Sequence, residues 1–94
     1  MEKSINQNRW CVYVLRCRNN YLYIGMTNNL QKRMKAHDKG SGSKFVKSHK
    51  PFELIKVIYC ADSKEARKLE YTLKRLKRRD KFTALKLKYC DVSK

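Results

Sequence analysis

WCVYVLRC at residues 10–17, RNN at 18–20 and YLYIG at 21–25 decide the fold. The outer segments are rich in aromatic and β-branched side chains. Arg18-Asn19-Asn20 between them is turn chemistry, so the stretch predicts a β-hairpin. Two registers are open to it. A three-residue turn pairs Cys17 with Tyr21 and puts Tyr13 and Tyr23 on one face, whereas a two-residue turn at Asn19-Asn20 separates them. Strand tyrosines ordinarily serve packing, and only the first register gives these two a shared site.

Beyond Gly25, Thr27 or Asn28 is the expected cap of a helix whose inner face carries Leu30, Arg33, Met34 and His37 and which ends near Asp38. Residues 39–51 (KGSGSKFVKSHKP) mix glycines, serines, four lysines, a histidine and the single proline, and read as a basic loop. Phe52 to Cys60 (FELIKVIYC) predicts a third strand. Asp62-Ser63-Lys64-Glu65 is a capping box opening a helix that reaches about Lys77. After Arg78-Arg79-Asp80 interrupts the pattern, Phe82, Leu85, Leu87 and Tyr89 predict a short closing helix and an extended end. The order β-β-α-β-α-α predicts an α/β fold of the α+β kind: a small, three-stranded, mainly antiparallel sheet flanked by helices.

Ninety-four residues suit one domain spanning 1–94, and no repeat or linker divides them. Lys and Arg number 24 against 8 acids, a formal charge of +16. Self-repulsion of that size points to a polyanionic partner, nucleic acid first, although a ribosomal-type binding protein or a membrane-surface protein carries such charge too. The apolar runs Cys11 to Leu15 and Leu54 to Cys60 are far shorter than a bilayer span, and Met1 to Asn8 lacks a signal-peptide core; a soluble, intracellular protein is expected. Cysteines 11, 17, 60 and 90 lack the paired spacings of a zinc or redox motif. Cys11, Cys17 and Cys60 are expected to pack as reduced small hydrophobes, and Cys90, near the end, to be exposed.

Glu70 lies within the stripe of Ala66, Leu69, Leu73 and Leu76 on the second long helix. An inward carboxylate needs a cation, a hydrogen-bond cluster or a cleft, so an ion pair with an arginine and a metal-binding role both remain open. Arg33 and His37, at i and i+4, share one helix face and lean toward the sheet. His37 taken alone reads as a structural histidine.

Val12-Tyr13, Tyr23-Ile24-Gly25, Arg33, His37 and a helical Glu70 together resemble the GIY-YIG nuclease superfamily over about residues 10–80. The similarity is greatest to its small stand-alone members, the uncharacterised bacterial group and the nuclease subunit of structure-selective endonucleases. Gly-Ser-Lys-Phe before a proline-led third strand resembles their loop. The first motif reads Cys11-Val12-Tyr13 where the family name has Gly-Ile-Tyr, and no asparagine follows Asn29, whereas the family often has one after its Glu helix. The resemblance implies a metal-dependent endonuclease. Glu70 would hold one Mg²⁺ or Mn²⁺. Tyr13 and Tyr23 would orient and deprotonate the attacking water, one of them as general base and His37 as proton acceptor. Arg33 would fork a phosphate.

Lys44, Lys47, His49 and Lys50 in the basic loop, with Lys74, Arg75 and Arg78 on and after the Glu helix, are expected to grip the DNA backbone flanking the site, duplex, branched or flapped. Nothing resembles a sequence-recognition module, so specificity is expected to come from DNA structure or a protein partner. A noncatalytic nucleic-acid-binding module with the same fold is the alternative.

Overall fold

β1 (Cys11–Arg16) and β2 (Leu22–Thr27) form the expected hairpin in the computed structural model, which describes residues 9–77, 80, 81, 83 and 85. Their register runs from Cys11 opposite Thr27 to Arg16 opposite Leu22, with Tyr13 opposite Gly25 and Leu15 opposite Tyr23. The Cys17 N–H donates to the Tyr21 carbonyl at 2.7 Å, closing a three-residue turn. Asn19 and Asn20 sit in it at φ 63° and 59°. Asparagine tolerates this left-handed region better than other side-chain-bearing residues, so RNN suits the turn and sets the register that puts Tyr13 and Tyr23 on one face.

β3 (Glu53–Tyr59) pairs antiparallel with the other side of β1, giving the order β2-β1-β3. Val14 faces Lys56 and Leu15 faces Leu54, so Ile55 is the extra residue of a bulge. The central strand is buried on both faces, which explains why CVYVL reads as a continuous apolar run instead of an alternating one. Val12 and Val14 pack with Ile24, Ala66, Leu73 and Leu85 under α3 (Ser63–Arg75). Tyr13, Leu15 and Cys17 pack with Val46, Leu30 and Met34 on the opposite face. The fold is α+β, as the sequence predicts.

Three local expectations are corrected. The cap of α1 (Leu30–Lys39) is Asn29, which accepts the Lys32 N–H at 3.1 Å, and not Thr27 or Asn28. Thr27 completes β2 opposite Cys11, and its hydroxyl accepts the Asn29 N–H instead. The basic loop contains a helix, α2 (Lys44–Ser48), capped by Ser43 and anchored by fully buried Val46. α3 stops two residues short of Lys77, because Leu76 turns extended. Its capping box is shifted: Asp62 accepts the Glu65 N–H at 2.9 Å, while Glu65 reaches back to the Ala61 N–H at 2.6 Å, one residue before the cap. Helical backbone returns at Asp80, Lys81 and Thr83; Phe82, Leu87, Tyr89 and Cys90 lie outside the described residues. Cys11, Cys17 and Cys60 are buried free thiols, and burial pushes all three thiol pKa values up.

Candidate active site

Tyr13 is the hub. It stands on the central strand, 1% exposed, facing α1 and α2. Across the hairpin its ring meets Gly25, where an added Cβ would lie 2.5 Å from the phenol oxygen. The glycine of the YIG motif therefore leaves the space that the hydroxyl occupies. His37, one turn beyond Arg33 on α1, is fully buried, and its Nε2 lies 2.8 Å from the Tyr13 hydroxyl in a hydrogen bond. The His37 Nδ1 has no partner among the described residues. A second glycine admits that ring, since a Cβ on Gly42 would lie 2.7 Å from Nδ1.

Tyr23 completes the face, its ring centroid 6.2 Å from that of Tyr13 and 5.4 Å from that of His37. It is half-buried on β2, an edge strand, and so nearer to solvent than Tyr13. Burial, then Tyr23 through its charge and a hydrogen bond, raises the Tyr13 pKa well above the ordinary phenol range; Arg33 opposes this and Glu70 adds to it. Burial, then the Arg33 charge, lowers the pKa of His37, so the ring is held neutral at neutral pH. Of the five sequence-predicted residues, His37 touches the Tyr13 hydroxyl and the Tyr23 ring packs beside both, while Arg33 and Glu70 bear on Tyr13 only through their charges.

Glu70 arrives from the other layer. α3 covers the Val12 and Val14 face, opposite the face that carries Tyr13 and Tyr23. Because no further strand lies beside β2 among the described residues, the two layers can meet around its open edge. The Glu70 side chain is 20% exposed and, among the described residues, pairs with Lys74 at 3.4 Å in an i,i+4 contact. This partner is itself 54% exposed, which leaves the carboxylate open to solvent on one side. Among the described residues, no three His, Cys, Asp or Glu side chains converge into a metal cage. One carboxylate suits a cation that draws its other ligands from water and substrate.

Of the basic residues, Lys44, Lys47, Lys74 and Arg75 are exposed. Arg75 stays on its own helix, donating to the Tyr71 hydroxyl at 2.8 Å. His49 and Lys50 are committed locally: His49 Nδ1 lies 2.7 Å from the Phe45 carbonyl, and Lys50 donates to the Asp38 carbonyl. The α2 segment is tied to the hairpin turn, the Arg18 N–H and guanidinium donating to the His49 and Ser48 carbonyls at 2.8 and 3.1 Å. Arg78 lies outside the described residues. Gly42 and Phe45 were missed from sequence as parts of the site, because both sit in a segment without periodicity.

A three-stranded α+β domain that sets two tyrosines and a histidine together on one sheet face defines the class of the fold and site. The chain belongs to the GIY-YIG catalytic domain family, whose model matches residues 9–83. It is similar to the UPF0213 protein CPE1444 of Clostridium perfringens, 39% identical over 82% of this chain and 83% of that protein. It also resembles the UPF0213 protein YazA of Bacillus subtilis, 40% identical over 79% of this chain and 75% of that one. The solution NMR structure of the UPF0213 protein BH0048 from Bacillus halodurans superposes with a TM-score of 0.57 at 34% identity, covering 85% of each chain. These names assign no activity. Among the described residues, no helix is long and apolar enough to cross a membrane.

Proposed function

We propose that this protein is a metal-dependent DNA endonuclease that hydrolyses phosphodiester bonds with one divalent cation and a tyrosine-assisted proton relay. The observation that carries this reading is the packing of Tyr13, Tyr23 and His37 on one face of the hairpin, with His37 Nε2 2.8 Å from the Tyr13 hydroxyl. Hydrolysis needs a deprotonated water, stabilised phosphoryl oxygens and help for the leaving oxygen. Glu70 is the residue to hold Mg²⁺ or Mn²⁺, which when bound would neutralise charge on the phosphate. Arg33, a planar and permanently charged fork of donors, takes a phosphoryl oxygen.

The high Tyr13 pKa argues against a standing phenolate at neutral pH and for a relay. Tyr23, the more exposed phenol, accepts the water proton as its own passes to Tyr13, whose proton passes to His37 Nε2. The water becomes hydroxide and the histidine imidazolium, and neither tyrosine is left charged. Burial and Arg33 keep His37 neutral and ready to accept.

Incubating the purified protein with Mg²⁺ or Mn²⁺ and branched, flapped, single-stranded or duplex DNA tests the reading. Cleavage of at least one substrate is expected, lost on chelation and in Glu70→Gln and Arg33→Ala. Inert wild type, or variants that cut equally well, would overturn it.

A further inference from the structure

Beside Tyr23, a groove wraps the open edge of β2, lined by Leu22, Tyr23, Ile24, Phe45, Lys74 and Lys81. It joins the α2 layer to the α3 layer, and its contents are unlike those of a bare catalytic cleft. Phe45 stacks on Tyr23 (centroids 6.0 Å apart, planes 20°) and on His49 (4.1 Å, 15°), while Tyr21 meets Phe45 and His49 edge-on at 6.1 and 5.1 Å. The rings form a continuous aromatic column running outward from Tyr23. Phe45 and Tyr21 nonetheless remain 37% and 49% exposed, large apolar surface that the fold leaves in water. Cations close the other side. Lys81, half-buried, donates to the Leu76 carbonyl at 2.7 Å, and Lys74, paired with Glu70 at 3.4 Å, reaches in from α3.

We propose that this groove is a subsite for an unpaired nucleotide next to the scissile phosphate, its base against the exposed edge of Phe45 and its phosphate at Lys74 and Lys81. The proposal rests on the nuclease reading for its position beside the scissile bond and gives that reading a substrate class: DNA with a single-stranded or frayed segment at the cut. Lysines alone would grip any backbone. Aromatic surface adds a demand that duplex DNA cannot meet, because a paired base already has its faces stacked and must leave the helix before it can pack on a protein ring.

Binding to the full-length Glu70→Gln protein, which separates binding from cutting, provides the test. A single-stranded oligothymidine is compared by fluorescence anisotropy with an abasic strand of the same length and charge. The oligothymidine is expected to bind roughly 5-fold more tightly, the lower end of the range for one base on an aromatic ring. Adding Phe45→Leu should collapse that ratio toward one, and Phe45→Trp should keep it. Equal affinity for the two strands in the Glu70→Gln protein overturns the subsite whether or not Phe45→Leu folds, and so does an unchanged ratio in a folded Phe45→Leu. A protein that never cuts DNA yet discriminates against the abasic strand keeps the binding groove and loses the nuclease reading. One that cuts duplex and ignores bases does the reverse.

Discussion

Two glycines shape the site more than any charged residue does, because Gly25 and Gly42 admit the Tyr13 hydroxyl and the His37 ring. Gly25→Ala should push Tyr13 off His37 and cost about 1–3 kcal/mol as an overpacked contact, read as a lower urea midpoint together with lost cleavage. Glu70→Gln should behave oppositely. Its ion pair with Lys74 is exposed enough to be worth only about 0.3–0.5 kcal/mol, so thermal melts should barely change while metal-dependent cleavage disappears. His37 makes stability depend on pH in a defined direction. Its folded pKa lies below the unfolded value of about 6.5. The unfolded chain therefore binds the proton first on acidification, so stability is complete above that value and is lost as pH falls through the folded pKa. Urea midpoints measured downward from neutrality should decline below about pH 6.5, and His37→Gln should flatten that decline.

Caps and turns fix the elements that carry these residues. Asn29 starts α1 and so sets the angular position of Arg33 and His37, while Asp62 does the same for Glu70 on α3. Either residue changed to Ala should cost about 1 kcal/mol in chemical denaturation. The capping box at Asp62 was legible because four adjacent residues carry it. The Asn29 cap was not, because Asn28 is an equally good cap by residue type and Thr27 a fair one, and of these only Thr27 is removed by its pairing with Cys11. α2 was illegible for a different reason: five residues between glycine, serine and proline show no period, and a helix that short stands on packing. Val46 supplies that packing in contact with Tyr13 and Leu15. The same short helix presents Phe45 to the groove beside Tyr23.

For the whole molecule, the charge of +16 should make the proposed DNA binding steeply dependent on salt, with a slope that counts phosphates engaged. If exposed Lys44 and Lys47 each meet one phosphate, Lys44→Ala should lower the slope of log K against log salt by roughly 0.9 on duplex, and Lys47→Ala by a similar amount. A titration from low to high salt checks this, and an unchanged slope would remove α2 from the DNA path. The sequence by itself determined the α+β class, the hairpin and its two allowed registers, the two long helices, and the family, because each is written in neighbouring residues: alternation, turn chemistry, capping and ordered motifs. The tertiary structure alone decided which register holds, that Glu70 comes from the layer opposite its partners, and that the two layers meet around the open edge of β2. It also decided how deeply Tyr13 is buried, and that burial raises its pKa. The reason is physical: desolvation and through-space charge depend on what packs around a group, and those neighbours are far away along the chain.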